Sequence, residues 1–147
     1  MIQLTTAAID YGPLVEAARN PASGAVVLFL GTVRDLSEGR SVASLEYDAY
    51  PVMAEKKLAQ VAEEARQRWP LQHASIIHRY GHLELGDIAV AVVTASTHRA
   101  EAFQAGQWIM DTVKQVVPIW KRENWSDGGA DWVHPEPIPR QTREEAP

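Results

Sequence analysis

The sequence contains no cysteine. This absence excludes disulfides, metal sites built from thiolates and a cysteine nucleophile, so any sulfur that the protein handles must arrive on a substrate or a partner. The histidines do not supply a metal site either, because His73 and His78 lie five positions apart in a predicted strand and face opposite sides of it. We therefore predict no bound metal.

Positive charge is also scarce, with 14 lysines and arginines against 19 aspartates and glutamates and a net charge of −5. Nucleic-acid binding usually needs a basic face, so this balance argues against it. No apolar run reaches the length of a membrane span, and the first residues lack the basic and apolar segments of a signal peptide. We expect a cytoplasmic protein that binds neither nucleic acid nor membrane.

The length of 147 residues and a hydrophobic content of 46% fit one domain with a sizeable core. Alternating apolar and polar residues predict a half-exposed strand over 43–49, and the apolar run 25–30 predicts a strand buried on both faces. Helical spacing of apolar residues predicts a helix from Pro51 to about Trp69, which Pro70 ends.

The remaining pattern completes a single domain over 1–133. It predicts strands over 2–6, 73–80 and 88–94, a short helix over 10–19 and a hairpin turn at Asp127-Gly128-Gly129. We therefore predict an α+β fold in which a mixed sheet carries helices on one face, with a small C-terminal hairpin region. The proline-rich residues 134–147 are expected to form an irregular tail.

The chain is organised around residues 96–123, in which a His-Arg pair precedes an amphipathic helix. Pro118 ends this helix just before Trp120-Lys121-Arg122. Lys114 lies at the margin of the predicted apolar face, and taken alone it is most simply a solvated lysine whose stem covers the core. The predicted apolar face comprises Phe103, Gly106, Met110, Val113 and Val117.

Five basic residues form a candidate anion site: Arg34, His98, Arg99, Lys114 and Lys121. Arginine binds phosphate or carboxylate through two parallel hydrogen bonds. A lysine that is partly desolvated beside other cations releases its proton more readily, so it can act as a base, an acid or a nucleophile. Taken alone, Arg34 and Lys114 are each better explained as solvated cations, and Glu46 with Asp48 is better explained as a solvated strand face than as an acid pair. The sequence contains no P-loop, dinucleotide fingerprint or serine elbow, and we predict no cofactor.

Ordered motifs run through most of the chain. They are Gly31-Thr32-Val33-Arg34, Leu45-Glu46-Tyr47 with Ala49-Tyr50, Ile77-His78-Arg79 with Gly81 and Leu83, Ser96 with His98-Arg99, Ala102-Phe103 with Ala105-Gly106, Asp111, Lys114, Pro118-Ile119-Trp120-Lys121-Arg122-Glu123 and Trp132-Val133. Each motif is common by itself, but the ordered set over residues 24–133 resembles the catalytic (large) subunit family of molybdopterin synthase.

This resemblance implies an α/β-hammerhead fold and a homodimer in which each subunit also binds a small ubiquitin-like carrier, giving a heterotetramer. In the family, the carrier's C-terminal Gly-Gly ends in a thiocarboxylate, and the enzyme moves two sulfurs onto cyclic pyranopterin monophosphate (precursor Z) to form molybdopterin. Lys114 and Lys121 match the essential lysines, and Arg140 is the candidate for a pocket arginine that relatives contribute from the tail. The resemblance assigns substrate-pocket positions to Arg34, His98, Arg99, Lys114, Lys121, Arg122 and Glu123.

Two other functions fit the same cations: a non-catalytic dimer that binds a phosphorylated small molecule or a carrier tail, and a different carrier-dependent acyl or sulfur transferase.

The length of the predicted helix leads to a geometric expectation. Arg99 and Lys114 are fifteen positions apart, which is about 22 Å along a straight helix. A pterin monophosphate is smaller than that, so we predict that a two-fold dimer brings His98 and Arg99 of one subunit to the lysines and Arg34 of the other.

Overall fold

The structure, a computed structural model, describes residues 1–133 of the 147 in the chain. The predicted tail, residues 134–147 with Arg140, lies outside the described residues. In the described part no helix is long and apolar enough to cross a membrane. The elements follow one another as β1 (Ile2–Thr5), α1 (Gly12–Ala18), β2 (Ala25–Thr32), β3 (Leu36–Ser37), β4 (Arg40–Ala49), α2 (Pro51–Arg68), β5 (Leu71–Arg79), β6 (Gly81–Glu84), β7 (Ile88–Ser96), α3 (Arg99–Val116), β8 (Ile119–Trp125) and β9 (Ala130–Val133).

In the described residues the main sheet has four strands in the order β1-β5-β7-β2. β1 runs parallel to β5, whereas the β5–β7 and β7–β2 pairs are antiparallel, so the sheet is mixed as predicted. β5 and β7 are central and buried over most of their length, which explains their nearly continuous apolar sequences. Within residues 1–133 β2 is an edge strand, and Phe29 on one of its faces is 42% exposed, so the expected burial on both faces is wrong.

Helices α2 and α3 pack together on one face of the main sheet, as predicted. Leu58 of α2, Ile109 of α3 and Ile76 of β5 are fully buried in this layer. The short helix α1 departs from the prediction, because Leu14 packs on the opposite face of the sheet with Ile77. Alternate residues of a strand face opposite sides, so the adjacent Ile76 and Ile77 divide between the two layers.

Helix α3 runs without a break over 18 residues. Its buried face is rotated from the predicted one, because Phe103 is 61% exposed. Small residues bring the helix close to β7, where the Thr94 hydroxyl donates a hydrogen bond of 2.7 Å to the Ala102 carbonyl. A large side chain does not fit such a close approach, so Phe103 lies to one side. The buried residues of α3 are Ala102, Ala105, Gly106, Ile109 and Val113.

The second sheet is antiparallel and is centred on β4. β3, β6 and β8 all pair with β4, and β9 pairs with β8. The predicted turn between β8 and β9 is confirmed, with positive φ angles of 101° at Gly128 and 81° at Gly129, which glycine adopts readily. A small core that includes Val33, Leu45 and Leu83 joins this sheet to the end of the main sheet. The two sheets together give the predicted α+β, hammerhead-type arrangement.

Candidate active site

Strand β8 presents Lys121 and Glu123 on one face, because alternate residues of a strand point the same way. Tyr47 lies directly opposite Lys121 on β4, and Leu45 lies opposite Glu123. Leu45 is buried in the core that joins the two sheets, so this inner face of β8 is turned toward the main sheet. Lys121 Nζ lies 3.9 Å from Glu123 Oε1, which makes the two groups an ion pair.

The carboxylate of Glu123 is almost completely buried, with 4% of the side chain exposed, whereas the side chain of Lys121 is 34% exposed. The Ser37 hydroxyl donates a hydrogen bond of 3.0 Å to Glu123 Oε1. Within residues 1–133 the other oxygen, Oε2, is buried and has no hydrogen-bond partner. A buried carboxylate is costly unless a donor and a cation stabilise it, so Lys121 is its counter-ion.

Tyr47 and His78 form a neutral wall beside this ion pair. Their rings meet edge to face with centroids 5.2 Å apart. Burial, and then the charge of Glu123, raise the pKa of Tyr47 to about 12, so the phenol stays protonated. Burial lowers the pKa of His78 to about 4, against the opposing effect of its hydrogen bond to the Arg79 carbonyl. The imidazole is therefore neutral at pH 7. Tyr47 and His78 carry no charge, and Glu123 provides the negative charge beside Lys121.

Lys114 lies in the last turn of α3 with an exposed side chain. A lysine in this position interacts favourably with the negative end of the helix dipole. Only Val117 and Pro118 separate α3 from β8, and the Pro118 carbonyl accepts a hydrogen bond of 3.4 Å from the Tyr50 amide. This short, anchored link holds the end of α3 next to the start of β8, so Lys114 and Lys121 lie at the same end of the domain.

Arg34 follows β2 at that end as well. β2 runs antiparallel to β7, and α3 folds back over β7, so β2 and α3 finish at the same edge of the main sheet. The Val33 amide donates to the Asp87 carbonyl at 3.0 Å, and the Gly86 amide donates to the Val33 carbonyl at 2.9 Å. These bonds fix the backbone directly before Arg34, whose side chain is exposed.

Arg122 lies on the outer face of β8, away from Lys121 and Glu123. It is opposite Glu46 on β4, and its guanidinium carbon is 5.8 Å from the ring centroid of Trp132 on β9. Its Nε is buried without a hydrogen-bond partner in the described part of the chain. The structure thus places Arg122 on the opposite face of β8 from Lys121 and Glu123, where it packs within the second sheet.

His98 and Arg99 lie at the opposite end of α3. His98 is the N-cap residue, Arg99 is the first helical residue, and both side chains are exposed. Because α3 is one unbroken helix, Arg99 lies about 22 Å along its axis from Lys114. The segment before them is held by Thr97, whose hydroxyl donates to the Ala22 carbonyl at 3.3 Å. Within one chain the predicted site residues therefore form two groups.

The carboxylates and histidines of residues 1–133 include no group of three arranged to hold a metal ion. His82 instead lies between two acidic side chains, with Nδ1 2.5 Å from Glu46 and Nε2 2.7 Å from Glu84. Hydrogen bonds to these carboxylates raise the pKa of His82. Because Glu46 belongs to β4 and Glu84 to β6, this contact connects the two strands.

Ser37, Tyr47 and His78 were not predicted as parts of the site. For Tyr47 a signal existed, because strand alternation places it on the inner face of β4 with Leu45. For His78 the signal was its place in an apolar strand. Ser37 had no signal, because its partner Glu123 is 86 positions away.

Comparison with known proteins agrees with the resemblance. The family model described as MoaE protein matches residues 4–116. The chain is 41% identical over 140 residues to the molybdopterin synthase catalytic subunit of Halalkalibacterium halodurans, covering 90% of this chain and 89% of that protein. It is similar to the X-ray crystal structure of molybdopterin synthase from Staphylococcus aureus, with a TM-score of 0.85, 41% identity and coverage of 90% of this chain and 96% of that chain. The fold also matches a chain of the complex of subunits 1 and 2 of molybdopterin-converting factor from Helicobacter pylori, at a TM-score of 0.69, 19% identity and coverage of 90% and 88%.

Proposed function

The chain belongs to the MoaE family of molybdopterin synthase catalytic subunits, and we propose that it transfers sulfur from the C-terminal thiocarboxylate of a small carrier protein to cyclic pyranopterin monophosphate. Family membership confirms the prediction of an enzyme of molybdenum cofactor biosynthesis. The observation that supports the reaction is the placement of Lys121 beside the buried Glu123 carboxylate, at the same end of the domain as Lys114 and Arg34. We place this reaction in the cytoplasm.

The two kinds of cation have different proposed roles. The substrate carries a phosphate, which a guanidinium binds through two hydrogen bonds, so we assign Arg34 and Arg99 to holding it. In each transfer the thiocarboxylate sulfur forms a carbon–sulfur bond to the pterin side chain and an oxygen substituent leaves that carbon. Water then cleaves the bond between the sulfur and the acyl carbon and returns the carrier as a carboxylate, so charge develops and protons move in both steps. Lys114 and Lys121 are assigned to this step, because an ammonium group stabilises developing negative charge and can exchange a proton.

We place the carrier on an exposed apolar surface formed by Tyr50, Val52, Met53 and Trp120. The rings of Tyr50 and Trp120 meet edge to face at 5.8 Å, and Trp120 directly precedes Lys121. A protein bound here can direct an extended tail to the lysines. The Helicobacter pylori protein of the same fold forms a complex of two subunits, which supports such an assembly.

Val52→Glu should weaken carrier binding without unfolding the protein, because Val52 is 87% exposed. An affinity for the carrier equal to that of the wild type would exclude this surface.

Helix α3 and the edge strand β2 provide a surface for a homodimer. Phe103 on α3 is 61% exposed and Phe29 on β2 is 42% exposed, and one edge of β2 pairs with no strand of residues 1–133. We propose that two copies meet here across a two-fold axis with their α3 helices antiparallel. Such a contact brings His98 and Arg99 of one copy to the Lys114 end of the other, so each dimer contains two composite sites.

Mixing two inactive variants tests this arrangement. Arg99→Ala and Lys121→Ala, each inactive alone, are combined under conditions that exchange subunits. A mixed dimer then contains one site with both defects and one intact site, so about half of the wild-type activity per mixed dimer should return. Confirmed subunit exchange without recovery would mean that each site lies within a single chain.

Reconstitution tests the reaction itself. The purified protein, a thiocarboxylated carrier and cyclic pyranopterin monophosphate are mixed, and molybdopterin is assayed. Lys121→Ala should form almost no product while it still dimerises and binds the carrier. A carrier without its two terminal glycines should bind more weakly and give no product. Binding of both partners without any molybdopterin would favour the non-catalytic module, and consumption of the thiocarboxylate without molybdopterin would favour a different transferase.

A further inference from the structure

The β3–β4 hairpin holds Ser37 against the buried carboxylate of β8. Its two-residue turn, Glu38-Gly39, has positive φ angles of 48° and 81°, which is the backbone of a type I′ turn. Ser37 and Arg40 pair directly across the turn. Because a turn of this type fixes the register of a hairpin, the Ser37 hydroxyl is held 3.0 Å from Glu123 Oε1.

We propose that Ser37 is a positioning residue that acts on Lys121 through Glu123. The proposal rests on the proposed function, because it takes Lys121 as a group that takes part in sulfur transfer. Ser37 donates to Oε1 of Glu123, the oxygen that lies 3.9 Å from Lys121 Nζ. The hydrogen bond fixes the carboxylate, and the fixed carboxylate holds the ammonium at the inner face of β8.

The weakness of the ion pair makes this hydrogen bond necessary. A distance of 3.9 Å is longer than that of a charge-assisted hydrogen bond, which is about 2.8 Å. The terminal torsion of a glutamate is soft, so the ion pair alone does not fix the carboxylate plane. Glu123 Oε2 has no partner within residues 1–133 that would fix the plane from the other side. Loss of the Ser37 hydroxyl therefore frees Glu123 and, with it, Lys121.

Three variants test the proposal in the reconstituted reaction. Ser37→Ala should lower kcat about tenfold with KM nearly unchanged, because a hydrogen bond to a charged group contributes about that factor and the phosphate-binding arginines are untouched. Ser37→Thr keeps a hydroxyl in a strand position and should restore kcat. Ser41→Ala is the matched control, because Ser41 lies in the same hairpin with an exposed side chain.

A second measurement follows Lys121 without using activity. The folded proteins are labelled with an amine-reactive reagent, and the labelling of Lys121 relative to Lys114 is measured by mass spectrometry. In Ser37→Ala this ratio should rise, because the freed ammonium reaches solvent more often, and it should stay at the wild-type value in Ser37→Thr and Ser41→Ala.

Two results would overturn the proposal: a wild-type labelling ratio in Ser37→Ala, or a fall in kcat that Ser37→Thr does not restore. Failure of the wild-type protein to form molybdopterin would instead overturn the proposed function, and the labelling ratio would still decide whether Ser37 positions Lys121.

Discussion

Replacing Gly24 by alanine should displace the segment that carries His98 and Arg99. A Cβ atom at Gly24 would lie 2.3 Å from the carbonyl oxygen of Thr97, which is a backbone atom and cannot rotate away. Carbon and oxygen atoms normally approach to about 3.3 Å, so the two segments must separate by roughly 1 Å. Thr97 directly precedes His98, so the displacement passes straight into the proposed phosphate-binding pair.

The Gly24→Ala variant should lose both stability and activity. Overpacking of a tight contact lowers the free energy of unfolding by about 1–3 kcal/mol. A displacement of about 1 Å in a substrate-positioning group lowers the rate about 100-fold. We therefore expect Gly24→Ala to fold, to unfold at a lower temperature than the wild type and to retain about 1% of the turnover in the reconstituted reaction.

Gly12→Ala is the matched control, because the nearest atom to its Cβ is Asp10 Oδ1 at 3.7 Å, an ordinary contact. It should match the wild type in thermal unfolding and in molybdopterin formation. Wild-type turnover by a folded Gly24→Ala protein would refute the placement of His98 and Arg99 in the site.

Other variants test Lys114 and two histidines. Lys114→Arg should be as inactive as Lys114→Ala in molybdopterin formation, because arginine keeps the charge but does not release a proton; near wild-type activity would mean that Lys114 acts only as a fixed charge. Burial lowers the pKa of His78 to about 4 in the folded protein, whereas its ordinary value in an unfolded chain is 6.5. Between pH 6.5 and pH 4 the unfolded chain therefore binds a proton that the folded protein does not bind, and the free energy of unfolding falls by about 3 kcal/mol. The free energy of unfolding of His78→Gln, measured with urea, should fall correspondingly less over this pH range. A fall equal to that of the wild type would identify another group as the cause. The raised pKa of His82 means that its contacts with Glu46 and Glu84 stabilise the fold fully below pH 6.5 and less as the pH rises through its folded pKa. The stability difference between wild type and His82→Gln should therefore shrink as the pH rises above 6.5 and through the raised pKa of His82, and a constant difference would contradict the ion pairs.

Local periodicity predicted most elements because it reflects burial directly. Alternation over 43–49 placed Leu45 and Tyr47 on one face, and the structure buries Leu45 on the inner face of β4. Proline marked two helix boundaries, because it cannot continue a helix but fits its first turn. Pro51 begins α2, and Pro118 follows the end of α3.

Periodicity does not determine which neighbour covers a face. The apolar run 25–30 predicted a strand buried on both sides, but β2 is an edge strand in the described part of the chain. Phe103 was expected in the core, yet α3 approaches the sheet through Ala102 and Gly106 and leaves Phe103 exposed. Both departures lie on the surface that we propose for the homodimer, where a second copy of the chain would cover apolar residues that one copy leaves exposed.

The site residues were grouped by resemblance, and a simple geometric rule divides them. Lys121, Arg122 and Glu123 are consecutive, and consecutive residues of a strand cannot all face one pocket. The rule applies because residues 119–125, directly after Pro118, form the strand β8. Ser37 was beyond any such rule, because only the assembled second sheet brings it to Glu123.

The Gly24→Ala variant also separates a composite site from a site within one chain. In a composite site the displaced His98-Arg99 segment damages the site that it forms with the partner's lysines and leaves the lysines of its own chain intact. Mixed with Lys121→Ala under subunit exchange, it should give dimers with one doubly defective site and one intact site, and about half of the wild-type activity per mixed dimer. If each site lay within one chain, both sites of the mixed dimer would keep a defect and no activity would return. Because the unbroken helix α3 holds Arg99 about 22 Å from Lys114, we expect recovery.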